Sequence, residues 1–456
     1  MRFGVLLGLL LVSSAPLAAQ SRITLGQSFT STIKSQSHVK TEMPDANGAV
    51  GPDHVVEFIN GDVKFYDKKG KLLLAQTTQQ FWDATMDVAK YGPNPDNRDP
   101  RLLWDPQARR WYASAQRPAS AGATITIARS NTADPTKGWQ GFSLDVYDQR
   151  PEGGSVDFDR LGFNADGVYL SINQLATDPA TKRPNFLGVT LLAFKKSDLL
   201  NDPLVMTMAK REKITDARNI VPVIDLDGKA KTATLWANSR ERSTENDLFA
   251  RIDLSGDYTG WKLEPTITTV GNKPGGLLQR MGNPPPMNVP QPEGTAVGTS
   301  FNQPTVAYLS NGDFWMAHTA ANPDDKTRSA IRWWRIRSSD NSVVNEGIVK
   351  HPELSIFMPS LALDGKGQVI IVCAGGSAKQ PLGVYAIAGS ITSDKVTFDP
   401  EFALVKAGTG SVASNGRWGD YFTTFADPSS PGTFWSFTVY AAGTEWATQI
   451  SELKVK

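Results

Sequence analysis

The sequence predicts an all-β fold, a seven-bladed β-propeller, and three observations carry that expectation. Short runs rich in aromatic and β-branched residues recur along the chain, each cut off by Pro, Gly, Asp or Asn, as in strands joined by tight turns. The runs come in groups of three or four, and the groups begin about 50 to 80 residues apart. Helical periodicity is almost absent, with room for one helical turn in residues 191–204. A thin four-stranded sheet cannot bury both faces alone, and stacking such sheets around an axis does so. That explains why a run such as Val369-Ile370-Ile371-Val372-Cys373 is apolar without alternation.

The elements follow in order. Residues 1–19 have a basic start, a leucine-rich core from Val5 to Val12 and small residues before Gln20, which is the make-up of a signal peptide cut near Ala19. The apolar run is too short to span a bilayer, and no later stretch is long and apolar enough to do so. An exported protein, periplasmic or extracellular, is the expectation. Residues 20–41 are polar with little periodicity and read as a lead-in to a propeller domain over residues 42–456.

The first unit has strands at 55–59, 63–67 and 72–74, after the turn-rich stretch Pro44 to His54. The second opens at Asp99-Pro100-Arg101 and continues through 111–114 and 124–128. The third holds 157–163, 167–173 and 189–194, and the fourth 220–224, 233–237 and 248–252. A Pro/Gly-rich stretch, 271–298, cannot be a central strand or a helix and reads as an excursion on one face. The fifth unit holds 304–308, 312–318 and 330–336, and the sixth 358–363, 369–373 and 383–387. The seventh, 415–450, has three strands studded with aromatic residues.

Composition excludes little but is informative. Lys plus Arg number 47 and Asp plus Glu 46, so the net charge of +1 gives no electrostatic reason to expect nucleic acid as a partner. The one cysteine, Cys373, can form no internal disulfide and reads as a small buried hydrophobe. Stability must therefore come from core packing.

Several motifs together resemble a bacterial family of secreted propeller proteins, loosely grouped with the sialidase-like folds. They are residues 48–56, Asp159-Arg160-Leu161-Gly162 with Ser171-Ile172-Asn173, and Phe314 to Thr319. Met358-Pro359-Ser360, Arg417-Trp418-Gly419-Asp420-Tyr421, Asp427-Pro428 and Phe434-Trp435 complete the set. The resemblance runs from about Pro44 to the C-terminus. It implies the propeller fold and no defined activity, because members of the family are mostly uncharacterised. The chain departs from the family at Asp157-Phe158-Asp159-Arg160, where a Tyr-Pro pair is expected. The S-x-D-x-G-x-T-W turns of true sialidases are absent, Ser430 to Trp435 being at best a trace of one.

No motif with a known catalytic mechanism is present. The histidines, His38, His54, His318 and His351, are too scattered for a sequence-local metal site. Asp45-Ala46-Asn47-Gly48 has the oxygen-rich look of a calcium loop but lacks its further ligands, and turn chemistry explains it equally well. No cofactor is expected, with calcium the one exception left open. Asp225 to Gly228 and Asp364 to Gly367 read as hairpin turns.

In a propeller the first strand of each blade lines the axis. Polar residues near those starts are Arg101, Asp159, Arg160, Arg417, Asp420 and Tyr421, with His318 on a following strand. Guanidinium groups grip carboxylates at two points, and a carboxyl group beside them can serve as acid or base. Such a mixture suits an acidic sugar. Salt bridges between blades are the plainer reading of the same residues. Two functions follow: a scaffold binding a carbohydrate or protein at the channel mouth, or a polysaccharide-cleaving lyase or hydrolase there. A deep polar pocket with His318 or Tyr421 beside two arginines would mark the enzyme. A shallow face with exposed aromatics would mark the scaffold. Trp333-Trp334 point to opposite faces of one strand and read as core filling.

Overall fold

The structure, a computed structural model, describes residues 21–93, 97–117, 123–239, 249–255, 264–270, 288–299 and 303–456. The signal-peptide segment and residues 271–287 of the Pro/Gly-rich stretch lie outside them. The strands fall into successive antiparallel groups. The first is Asn47–Val50, His54–Ile59, Asp62–Asp67 and Leu72–Thr77. The second is Arg98–Asp105, Arg110–Gln116, Thr124–Ser130 and Trp139–Asp145. The third is Gly154–Phe163, Gly167–Thr177, Pro184–Lys195 and Met208–Ile214. The fourth is Ala217–Asp225, Ala233–Ser239, Phe249–Ser255 and Glu264–Val270. The fifth is Ala307–Ser310, Asp313–Ala321, Ser329–Arg337 and Val343–Val349. The sixth is Ser355–Leu363, Gln368–Ser377 and Gln380–Thr392, edged by Lys395–Phe398 and Ala403–Lys406. The last is Thr423–Ala426, Thr433–Ala442 and Glu445–Val455. This is the all-β propeller architecture.

First strands stand side by side around the axis. Those of the third, fourth and fifth groups even bridge in parallel, Phe163 to Ile224 and Val223–Asp225 to Ala307–Leu309. Gly162 permits the first of these approaches: a Cβ there would lie 2.7 Å from the Val223 carbonyl oxygen. The faces between groups hold the core, so adjacent residues of one strand enter different clusters. Trp333 packs with Ile331 and Leu363, and Trp334 with Trp236, Phe249 and Phe314. Cys373 is buried and free in the middle of its strand.

The lead-in contributes more than its sequence suggested. Ile23–Ile33 is a strand that pairs antiparallel with Glu445–Val455 and becomes the outer edge of the last group. Most of its residues are only half-buried or exposed, so its polar make-up hid it. It also clasps the first group. Ser31 and Thr32 donate hydroxyl hydrogen bonds to the buried Glu57 at 2.5 and 2.9 Å, and Lys64 Nζ donates to the Ser31 carbonyl at 2.8 Å. The first and last groups touch directly as well. Gly48 N donates to Thr423 Oγ1 at 3.1 Å, Ser429 Oγ to the Pro52 carbonyl at 2.8 Å, and a Cβ on Gly48 would meet Phe437 at 2.2 Å. The chain ends thus close the ring.

Other elements refine the sequence reading. Asn47–Val50, taken as part of a turn-rich stretch, is the innermost strand of its group. The expected helical turn is Lys196–Leu199. A second helix, Thr78–Thr85, was not foreseen; Thr77 and Gln80 form its capping box, and Phe81 and Trp82 are its buried face. The described part of the Pro/Gly-rich stretch forms a small ribbon, Asn288–Val289 with Val297–Gly298, that packs against Phe357, Met358 and Trp418. Asp225 to Gly228 and Asp364 to Gly367 are hairpin turns, as expected.

Candidate functional site at the polar mouth

The inner strands begin at one end of the channel with a repeated irregularity. In four groups two residues of the first strand oppose one of the second: 99–100 against Ala115, 158–159 against Ile172, 219–220 against Ala237, and 358–359 against Cys373. The leading residue of each bulge is left-handed: Asp99 at φ 52°, Phe158 at 58°, Asn219 at 52° and Met358 at 52°. Non-glycine residues resist that region at about 1–3 kcal/mol each, and such bulges re-aim the side chains that follow. Those at Asp99 and Phe158 border a polar opening, beside Arg101, Asp157 and Arg160.

The opening is a cavity of about 590 Å³. Arg101, Arg160, Arg417, Asp420 and Tyr421 all line it, together with Asp45, Asp99, Asp157 and Phe158. Asp159 is fully buried behind this wall. Arg101 Nε donates to the Asp159 carbonyl at 2.8 Å and lies 3.8 Å from its carboxylate, which Ser114 Oγ also approaches at 3.0 Å. The Arg101 guanidinium sits 3.5 Å from the centre of the Tyr421 ring. Arg160 lies 3.5 Å over Phe158 and 5.2 Å from Tyr421. Its Nη1 donates to the Asp159 carbonyl at 2.7 Å, while Nε and Nη2 find no acceptor among the described residues. Arg417 is half exposed and holds both oxygens of Asp420 at 3.1 Å.

Asp45, Asp99 and Asp420 form a tight carboxyl cluster. Asp45 accepts from Asn60 Nδ2 at 2.7 Å and from the Asp420 backbone amide at 3.3 Å, and Asn60 Oδ1 accepts from the Asp99 backbone amide at 2.9 Å. Gln116 donates to Asp99. Burial, then the charges of Asp99 and Asp420, push the Asp45 carboxyl well above its usual range. Burial also raises Asp420 against the pull of Arg417. Asp157 is pushed up to about 6, by enclosure first and by the like charges of Asp99 and Asp420. Its residue is exposed to the opening, so like-charge repulsion is the firmer of those causes. Asp159 rises to about 8 because burial outweighs the pull of Arg101. Burial raises the Tyr421 phenol well above 10, which leaves it a proton donor and not a base.

His318 is not part of this site. It is fully buried on the second strand of the fifth group, with its ring 6.2 and 6.4 Å from those of Phe249 and Trp334. Nδ1–H donates to the Thr319 carbonyl at 3.0 Å, and burial lowers its pKa to about 4. It is a neutral core aromatic. Asp99, Asp157 and Phe158 are the residues that sequence reasoning passed over as site members. Their position at the opening of a unit, beside residues that were picked, was the available signal. Among the described residues no group of three or more His, Cys, Asp or Glu is arranged to hold a metal ion, and no helix is long and apolar enough to cross a membrane.

No family model matches the chain, and no curated protein matches it. Among solved structures it is similar to a protein of unknown function from Dyadobacter fermentans. The identity is 11%, 95% of this chain and 100% of that one are covered, and the TM-score is 0.43. It is also similar to a Trypanosoma rangeli sialidase in complex with sialic acid: 8% identity, 89% of this chain and 59% of that one, TM-score 0.41. A third is a Penicillium chrysogenum α-L-arabinanase complexed with arabinobiose: 10% identity, 78% and 92% covered, TM-score 0.38. The strand pairing above, and not these likenesses, establishes the fold.

Proposed function

We propose that the chain is an exported seven-bladed propeller whose polar mouth takes up an acidic carbohydrate and cleaves it. One observation carries this reading: one polar cavity of about 590 Å³ brings Tyr421 beside both Arg101 and Arg160, with carboxyl groups raised toward neutral pH on its wall. The arginines supply two-point contacts for sugar carboxylates. Asp157, poised near its midpoint at mildly acidic pH, is our candidate donor of a proton to a glycosidic oxygen, with the neighbouring Asp99 as the candidate to activate water. The large apolar residues exposed among the described ones are aliphatic, so this mouth offers hydrogen bonds and charge and no open aromatic platform.

The test is to incubate purified protein with acidic and neutral polysaccharides, scoring retention and new reducing ends. Retention of acidic chains with new ends, where Asp157→Asn loses the new ends and keeps the retention, supports cleavage. Retention without new ends supports the second reading, a binding scaffold using the same arginines. Absence of both removes the carbohydrate reading.

A further inference from the structure

The opposite end of the channel carries a second cavity, of about 360 Å³. It is separate from the polar mouth, because the inner strands finish here and begin there. Every group of strands contributes to its wall, among them Leu103, Phe163, Ile224, Tyr308, Leu363 and Phe425. Its size sits at the small end of the roughly 300–1,000 Å³ that ligand pockets occupy. Its lining is mostly hydrocarbon and aromatic, so covering that surface with an apolar group is favourable.

The rim carries charge. Asp427 is neutralised by Lys68 at 2.6 Å. Asp227 and Asp364 stand at the opening and accept hydrogen bonds from backbone amides of the turns, 2.6 Å from Asn311 N and 2.7 Å from Lys366 N. Lys366 is the one lysine lining this cavity, which leaves the rim with a net negative charge. An apolar throat with an acidic rim selects by both properties.

We propose that this mouth is a second binding site, independent of the polar one, for a small aromatic molecule that is cationic and does not carry negative charge. The ring enters the throat between Phe163, Tyr308 and Phe425, and the positive group rests at Asp227 and Asp364. The acidic rim repels an acidic sugar chain.

The test uses the protein and the neutral dye N-phenyl-1-naphthylamine, whose fluorescence rises on burial. Saturable binding is expected. 1-Naphthylmethylamine, cationic at neutral pH, should displace the dye at a concentration at least fivefold lower than 1-naphthoate. Phe425→Arg, which puts a charge into the throat, should weaken dye binding at least tenfold. Pro431→Trp, on the exposed rim, should weaken it severalfold and avoids the folding risk of the first variant. Arg417→Ala, at the other mouth, should leave it unchanged. No saturable binding, equal displacement by amine and carboxylate, or binding that survives both Phe425→Arg and Pro431→Trp would overturn the proposal.

Discussion

Where the inner strands begin, the channel is walled by Asp45, Asp99, Arg101, Arg160 and Tyr421. Where they finish, it is walled by Leu103, Phe163, Ile224, Tyr308 and Phe425. The same strands build both ends, so the difference lies in the backbone as much as in composition. At the start, Asp99 and Phe158 stand in left-handed bulges that break the ladder beside Arg101, Asp157 and Arg160. At the finish the ladders of these strands run without a shift up to Asp105 and Phe163, and alternation delivers apolar residues to the axis. Strain is held at the polar end and regular packing at the other, which is where a fold can place each without losing its core.

That contrast can be broken at either end. The largest loss of stability is expected at the apolar end. Ile224→Ala removes buried hydrocarbon beside the parallel bridge and should cost about 2–4 kcal/mol, measured by urea unfolding, with retention of acidic polysaccharide intact. Arg101→Ala should cost about 2–3 kcal/mol, because it uncovers the buried Asp159 and the Tyr421 ring, and unlike Ile224→Ala it should abolish retention.

A pH series separates the ends further. The Asp159 carboxyl titrates near 8 when folded against 3.8 for a free side chain. Folding therefore favours its protonated form. That contribution is complete below pH 3.8 and is lost as pH rises to about 8. Asp159→Asn should flatten the decline in unfolding midpoint between pH 4 and 8 relative to the parent chain, whereas Ile224→Ala should shift the curve without changing its slope. The smallest effect on stability is expected at Arg417. Arg417 is half exposed although its partner Asp420 is largely enclosed, so Arg417→Ala should change stability by under about 1 kcal/mol while weakening binding of acidic chains about tenfold.

What was legible in the sequence follows the radius of the fold. Inner and middle strands such as 220–224, 314–317 and 369–373 are buried on both faces and read as apolar runs. Outer strands such as Trp139–Asp145, Met208–Ile214 and Val343–Val349 are half-exposed and mixed in character, and none was read. Ile23–Ile33 escaped for the same reason, and its pairing with the far end of the chain has no local signal. The site was partly legible because Arg101, Arg160, Arg417, Asp420 and Tyr421 sit at unit starts. His318 misled because a buried aromatic histidine and a catalytic one look alike in a string of letters. Asp99 and Phe158 act through backbone conformation and register, which the letters do not carry.

The most direct measurement compares retention of the protein on polygalacturonate with retention on the same polymer after its carboxyl groups are reduced to alcohols. Uptake of the acidic form alone, weakened in Arg417→Ala and absent in Arg101→Ala, is the expected result. Equal uptake of both polymers, or uptake indifferent to the two arginines, would contradict the assignment of the polar mouth.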